Sequence, residues 1–263
     1  MALGIDHVVI AVRDLDQAAA DYTAAGFTVS PGGWHVGGET HNSLVSFADG
    51  SYFELLAFAE PDREQSHKWW GRFAKGEGTV DFALLSADLD ALANRLRTAG
   101  IEAVGPVSGG RKRPDGVEIA WRTLITAGDV PMPFIIEDVT AHDLRVPPAP
   151  ATDHANGALG VAGLTILVPN LDTAVAAYAV LLSQPGEASQ PTIAGVSRAH
   201  RFAQGAAWIE LAEPDAIAAG LRQHIDHRGA APYEVVLRST IPGQTPIPLD
   251  LAHGSHIHFA HVD

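Results

Sequence analysis

The chain repeats one pattern of strands and helix along its length. A β-rich run at residues 4–12 is followed by Asp14 and an Ala-rich stretch that ends at Gly26. Two further apolar runs lie at 43–47 and 52–56. Asp is typical of a helix N-cap and Gly of a helix stop, and short β-branched or aromatic runs are typical of strands. The first unit is therefore predicted to be β-α-β-β-β.

The same pattern recurs at two fixed offsets. A shift of 74 residues aligns Asp14 with Asp88, and a shift of 156 aligns Tyr22 with Tyr178. A fourth, reduced copy runs from about residue 233 to 259 and has little room for its own helix. Repeats of this length indicate duplicated supersecondary units, so the 263 residues are predicted to arise by duplication rather than as one large core.

A Pro/Ala-rich segment around 146–151 is typical of a linker and separates the second copy from the third. We therefore predict two tandem domains of α+β class, each made of paired βαβββ modules. The predicted ranges are 1–145 for the first domain (units 1–76 and 77–145), 146–157 for the linker and 158–263 for the second domain.

Composition excludes several classes of protein. The chain has no cysteine, which excludes disulfides, Cys-ligated zinc, iron–sulfur clusters and a thiol nucleophile. Its net charge of −14 argues against sequence-independent nucleic-acid binding, which needs a basic surface. No apolar run approaches the roughly 20 residues of a membrane-spanning helix. We expect a cytoplasmic protein that binds neither nucleic acid nor membrane. Both a monomer and a homodimer remain open.

Four short segments carry a resemblance to a known family. They are Ile5-Asp6-His7 on the first strand, the run 26–29, the Gly-rich loop 31–42, and Tyr52-Phe53-Glu54-Leu55. Together with the repeats, they resemble the vicinal oxygen chelate superfamily, which includes glyoxalase I, extradiol dioxygenases and bleomycin-resistance proteins. Within it, the chain is similar to the bacterial glyoxalase-like domain proteins.

The resemblance implies curved mixed sheets around a cleft, with metal ligands on the first and last strands of each module. It places His7 and Glu54 at the ligand positions of the first module and Glu137 near that of the second. The remaining position falls on Asp81 or Phe82. If Asp81 points inward, the set is His7, Glu54, Asp81 and Glu137; if Phe82 does, the other three remain. The implied cofactor is a divalent metal such as Fe²⁺, Mn²⁺, Ni²⁺, Zn²⁺ or Mg²⁺.

Several other side chains are candidates for the cleft of the first domain. Glu54, Glu137 and His41 are the predicted acid–base residues. The predicted substrate-binding side chains are Trp34, His35, Asn42, Trp121, Arg122 and Phe134. For His35, a surface hairpin remains an equal alternative.

The second domain departs from the pattern, because Gly163 occupies the position of His7. Glu210, His258 and Glu234 form a possible second site there. Two functional hypotheses follow for the first domain. One is a metal-dependent enzyme of the glyoxalase, lyase or dioxygenase type that binds its substrate through vicinal oxygens. The other is a metal-free protein that binds or sequesters a small molecule in the same cleft.

Overall fold

The computed structural model describes residues 3–128, 130, 132–229 and 231–262. Over these residues it has fourteen strands and six helices, arranged in two sheets. The outermost residues of the predicted domain ranges, 1, 2 and 263, lie outside the described part. No helix of that part is both long and apolar enough to cross a lipid bilayer.

The first eight strands close into a barrel in the order β1-β4-β3-β2-β6-β7-β8-β5. They are β1 Gly4–Val12, β2 Ser30–His35, β3 Thr40–Ser46, β4 Tyr52–Phe58, β5 Gly78–Leu85, β6 Glu102–Lys112, β7 Glu118–Ala127 and β8 Phe134–Asp138. Each half of the barrel pairs its first strand parallel to its last, β1 with β4 and β5 with β8. The two halves then meet through antiparallel pairs between β1 and β5 and between β2 and β6.

The second sheet is open and has the order β10-β11-β12-β9-β13-β14. Its strands are β9 Ala158–Leu167, β10 Glu187–Ser189, β11 Val196–Gln204, β12 Ala207–Pro214, β13 Pro232–Ser239 and β14 His256–His261. The last module contributes only two of these strands, so the sheet does not close. This mixed α+β architecture of curved sheets confirms the predicted fold class.

The helices follow the repeat. They are α1 Leu15–Ala24, α2 Trp70–Phe73, α3 Leu89–Thr98, α4 His142–Arg145, α5 Leu171–Leu182 and α6 Ala219–Arg228. The helix after the first strand of each complete module has a side-chain N-cap, from Asp14, Asp88 and Asn170 respectively. Each cap accepts a hydrogen bond from the backbone N–H three residues later, which satisfies a donor that the helix leaves free. The same local signal thus starts the same helix three times.

The two sheets share one apolar core, formed where α1, α3 and α5 pack against the outer faces of the strands. Tyr22 on α1 and Tyr178 on α5 are fully buried in it at equivalent positions. The Tyr22 hydroxyl donates to the carbonyl of Ala252, which joins the first module to the last. In the segment after α4, His154 accepts from the Thr28 backbone N–H and contacts the Ser46 carbonyl, so this segment lies against the barrel.

Side chains along the barrel strands alternate between the apolar core beneath the helices and a second apolar cluster in the barrel interior. On β1, Val8 and Ile10 face the helices, while Val9 and Ala11 face the interior. His7 shares the interior parity. Because a strand turns alternate side chains to opposite faces, this parity decides which polar residues can meet inside the barrel.

Candidate functional site

A cavity of about 280 Å³ lies inside the barrel. Polar and charged side chains line it together with aromatic and aliphatic ones. The side chains that line it include His7, His35, Asn42, Tyr52, Glu54, Lys68, Trp69, Arg111, Trp121, Phe134, Ile136 and Arg145. An apolar enclosure with a few convergent polar groups is the usual form of a small-molecule site.

His7 on β1 lies at the floor of the cavity between two carboxylates. Its Nδ1 donates to Asp6 Oδ2 at 2.6 Å, and its Nε2 lies 3.5 Å from Glu54 Oε2. The ring stacks on Tyr52, with 4.5 Å between centroids, and meets the edge of Phe134 at 5.3 Å. Burial alone would lower the pKa of His7, but the interactions with the accepting carboxylates of Asp6 and Glu54 outweigh it and raise the pKa. This environment favours the imidazolium.

Glu54 on β4 is 4% exposed and has three polar neighbours. Asn42 Nδ2 donates to its Oε1 at 2.6 Å, and His35 Nε2 lies 3.3 Å from the same oxygen. Burial would raise the pKa of Glu54, but the contacts with His35 and His7 hold it well below its ordinary value. A buried carboxylate of this kind requires such partners, since an unpaired charge would cost several kcal/mol.

Behind His7, a buried arginine holds Asp6 in place. Arg145 on α4 donates from both terminal nitrogens to the two Asp6 oxygens, each at 2.8 Å, and also to the Tyr52 hydroxyl at 2.9 Å. Its Nε donates to Asp138 at 2.6 Å. Burial would raise the pKa of Asp6, but Arg145 and His7 lower it. Asp6 is therefore a fixed anion that orients the imidazole.

The second half of the barrel has no counterpart to this pair. His7 is in register with Tyr52 on β4, and Ala83 on β5 is in register with Phe134 on β8. The residues at the positions of His7 and Glu54 are therefore Ala83 and Ile136, neither of which has a donor atom for a metal. The prediction that the second module places a ligand at Asp81 or Phe82 misses the position by one or two residues, because Ala83 lies five residues before the N-cap Asp88, whereas His7 lies seven before the N-cap Asp14.

Glu137 lies outside the cavity, which corrects its predicted place in the cleft. Ile136 lines the cavity, so alternation turns Glu137 to the outer face of β8. There, its carboxylate pairs with Arg122, which also pairs with Asp90 at 2.8 Å, and lies 3.4 Å from the Leu89 backbone N–H. Arg122, predicted to bind substrate, therefore also lies outside the cavity.

Asp81 lies on the inner face of β5, in register with Val9. It does not line the cavity. Its Oδ2 accepts from Trp69 Nε1 at 2.7 Å and from Lys68 Nζ at 3.2 Å, which directs it away from His7 and Glu54. Phe82, the alternative, is buried in the outer core.

The Gly-rich segment predicted as a loop forms the β2–β3 hairpin. Side-chain alternation along its strands places the candidate site residues on opposite faces of the hairpin. His35 and Asn42 line the cavity. Trp34 and His41 stack on each other outside the barrel, with 4.4 Å between ring centroids, and line a separate groove against α1. Their predicted roles in the cleft are corrected for this reason. A Cβ on Gly32 would lie 1.9 Å from Asn42 Oδ1, so the glycine makes room for the Asn42 amide.

Trp121 and Phe134, predicted to contact substrate, both lie in the cavity wall. Trp121 meets His35 edge to face at 6.1 Å, and its indole lies against Gly109, where a Cβ would be 2.5 Å from Nε1. Sequence reasoning missed Asp6, Arg145 and Lys68 at this site. Asp6 had a local signal as the neighbour of His7, whereas Arg145 reaches the site from 139 residues away.

The cavity does not fit the divalent metal that the resemblance implies. Two of four ligand positions carry Ala83 and Ile136. Among the described residues, no group of three or more His, Asp or Glu side chains has the arrangement of a metal site. Asn42 Nδ2 already donates to Glu54 Oε1, so this carboxylate oxygen is held by a hydrogen-bond donor.

The predicted second site lies on one face of the second sheet. Glu210 is paired with Arg201 at 2.8 Å and accepts from Ser189 Oγ at 2.7 Å. Glu234 and His258 approach to 3.6 Å. The register places Glu234 and Glu210 on either side of Thr165, so the three predicted residues share a region of the sheet.

Comparisons with known proteins agree with this fold. The family model of the glyoxalase-like domain matches residues 5–182. No curated protein matches the chain. A hypothetical protein from Staphylococcus aureus is similar over 99% of this chain and 100% of its own, with a TM-score of 0.74 and 14% identity.

Two further solved structures are similar over 90% of this chain. A mutant of 4-hydroxymandelate synthase from Streptomyces coelicolor has a TM-score of 0.57 at 15% identity, and 72% of its chain is covered. A xylose isomerase-like TIM barrel/4-hydroxyphenylpyruvate dioxygenase fusion protein has a TM-score of 0.55 at 16% identity, and 36% of its chain is covered. These likenesses show the fold. From the match over residues 5–182, the chain belongs to the glyoxalase-like domain family.

Proposed function

We propose that the barrel cavity is the active site of a small-molecule enzyme that works by proton transfer through His7 and Glu54, without a bound metal. The observation that carries this proposal is the buried imidazole–carboxylate pair at the floor of an aromatic cavity, with Asp6 behind the imidazole. The two groups have opposite tendencies, because the pKa of His7 is raised and that of Glu54 is lowered. These directions are those of an ion pair, in which the imidazolium can donate a proton and the carboxylate can accept one.

The substrate we propose is a compact compound with two neighbouring oxygens, one of them a carbonyl. His7 Nε2 would donate a proton to the carbonyl oxygen. Asn42 and His35 would hold the second oxygen, since both line the cavity beside Glu54. A ligand oxygen that takes the place of Glu54 at His7 would remove one contact that holds the pKa of Glu54 low. Glu54 would then become basic enough to accept a proton from the adjacent carbon.

A second candidate function is metal-free binding without turnover. Its supporting observation is the internal pairing of the site, in which Glu54, His7, Asp6 and Arg145 form one continuous ionic network. A network that is satisfied before ligand binding suits a rigid receptor as well as an enzyme.

The test uses solvent exchange as a readout of proton transfer. Acetoin and 2,3-butanedione are incubated with the full chain in D₂O containing a chelator, and deuterium entry next to the carbonyl is followed by NMR. We expect exchange by the wild type that falls about 100-fold or more in His7→Ala and Glu54→Gln. Glu60→Gln, an exposed carboxylate paired only with Arg63 among the described residues, is the matched control and should retain the rate. Exchange that requires added metal would contradict the proposal, and binding without exchange would favour the receptor.

A further inference from the structure

The cavity wall holds more cationic than anionic side chains, although the chain as a whole is strongly acidic. The chain carries a net charge of −14. Yet the cavity wall contains three cations, Lys68, Arg111 and Arg145, against two carboxylates, Glu39 and Glu54. Such a wall attracts an anionic ligand only through cations that the protein itself does not fully engage.

Two of the three cations are occupied by the protein itself. Arg145 holds Asp6, Asp138 and the Tyr52 hydroxyl. Arg111 donates to the Asn42 side-chain oxygen at 3.3 Å and to the Arg145 carbonyl at 3.0 Å. Both guanidinium groups therefore donate hydrogen bonds to the residues that position the floor of the cavity.

Lys68 differs from them. Within the described part of the chain, its ammonium has one hydrogen-bond acceptor, Asp81 Oδ2 at 3.2 Å, although an ammonium carries three N–H donors. Asp81 is itself fixed by the Trp69 indole N–H and the Phe82 backbone N–H. The Lys68 side chain is 34% exposed, so its remaining donors are open to a ligand.

Aromatic rings hold the ammonium over the cavity. Lys68 Nζ lies 3.7 Å from the centroid of Phe134 and 4.4 Å from that of Trp69. His7 meets the same Phe134 ring, with 5.3 Å between centroids. The Lys68–Phe134 and His7–Phe134 distances share the Phe134 centroid, so the ammonium and the imidazole centroid cannot be farther apart than the sum of the two. One small molecule can therefore reach both groups.

We propose that Lys68 is the specificity-determining residue of this cavity and binds the acid group of a monocarboxylate substrate. The inference rests on the proposed function, because it assigns the second end of the ligand that His7 and Glu54 act upon. The ligand has a reacting oxygen at His7, a short apolar body against Phe134 and Trp121, and a carboxylate at Lys68.

The environment of Lys68 adds a reason for tight binding. Burial lowers the pKa of the ammonium, and Asp81 only partly offsets this effect. A bound carboxylate would supply the second counter-charge. Hydrogen bonds between charged groups are about twice as strong as neutral ones.

The test compares acids with their own amides. Benzoate and benzamide, phenylacetate and phenylacetamide, and hexanoate and hexanamide are titrated into the full chain by calorimetry. We expect the wild type to bind the acid of the best-fitting pair at least about tenfold more tightly than its amide, which corresponds to about 1.4 kcal/mol. Lys68→Met should abolish this preference, and Lys68→Arg should restore it. Lys75→Met is the matched control, because Lys75 is exposed and lies outside the cavity wall.

The outcomes separate this inference from the proposed function. Equal binding of acids and amides by the wild type would overturn the role of Lys68 and leave the cavity as a ligand site. A preference that survives Lys68→Met but disappears in His7→Ala would also overturn it, since the anion would then lie at the imidazole. Failure of every acid to bind folded wild-type protein would overturn the inference, whereas the proposed function is overturned separately, by the absence of proton exchange into acetoin and 2,3-butanedione. Loss of the preference in Lys68→Met, its return in Lys68→Arg and its retention in Lys75→Met support the inference.

Discussion

The barrel and the second sheet use equivalent strands in opposite ways. In the barrel, His7 is in register with Tyr52, and Glu54 follows two residues later. In the second sheet, Gly163 is in register with Trp208, and Glu210 follows two residues later. Both regions have a carboxylate at the same position, but only the barrel supplies an imidazole opposite it.

The partner of the carboxylate decides what each region can do. Glu54 meets neutral or titratable groups inside a closed barrel, so a ligand can compete for it. Glu210 is neutralised by Arg201, whose guanidinium lies 4.1 Å above the Trp208 ring. Closure by eight strands encloses a cavity, whereas the six-stranded sheet ends in two edges. The comparison teaches that a carboxylate in the right place becomes a candidate site only with a reactive partner and an enclosure.

The largest effect on stability is expected from the arginines behind the two carboxylates. Arg145→Met removes the bidentate pair with the buried Asp6 and the pair with Asp138, which leaves Asp6 with His7, and we expect the free energy of unfolding to fall by about 3–5 kcal/mol. Arg201→Met should cost less, about 1–3 kcal/mol, because Glu210 keeps its hydrogen bond from Ser189. Urea denaturation of both variants measures the difference. Equal losses would show that the two pairs are energetically alike and would break the comparison.

Two glycines, Gly163 in the second sheet and Gly32 in the barrel, test the same difference between the two regions. A Cβ on Gly163 would lie 2.1 Å from the Trp208 ring, so Gly163→Ala should lower stability by about 1–3 kcal/mol and leave kcat/KM unchanged. A Cβ on Gly32 would lie 1.9 Å from Asn42 Oδ1, so Gly32→Ala should also reduce kcat/KM by displacing Asn42 from Glu54. Kinetics and thermal denaturation of both variants separate the two effects. A loss of kcat/KM in Gly163→Ala would place the second sheet in the catalytic pathway.

The smallest effect concerns pH. The pKa of His7 is raised by folding, so its contribution to stability is fully present below its unfolded value, about 6.5, and is lost as pH rises through the folded value. The pKa of Glu54 is lowered, so its contribution is lost only as pH falls below its unfolded range. We expect the difference in unfolding free energy between wild type and His7→Gln to shrink on the alkaline side. Denaturation at several pH values measures it, and a difference independent of pH would contradict the ion pair.

Local signals in the sequence predicted most of the fold. Asp14 and Asp88 mark helix starts because an N-cap depends on a neighbour three residues away. The repeat offset of 156 residues brought His7 into line with Gly163, and the strand registers of the two sheets agree with that offset. These relations need only short-range chemistry and counting.

The composition of the site depended on information that the sequence does not carry locally. Ile136 and Glu137 are adjacent in the sequence, and only the strand register determines which of the two side chains faces the barrel interior. The same is true of Trp34 and His35, since a Gly-rich run gives no clear strand period. Arg145 reaches the site through the closure of the barrel, and no pattern near it marks that contact.

Elemental analysis of the purified full chain tests the central claim most directly. The claim is that the barrel site works through His7 and Glu54 without a metal, since Ala83 and Ile136 at the other two ligand positions have no donor atom. Wild type and the double variant Ala83→His/Ile136→Glu would be prepared in medium with iron, manganese, nickel and zinc. We predict well under one equivalent of metal in the wild type and close to one in the double variant. One equivalent in the wild type that disappears in His7→Ala would contradict the account.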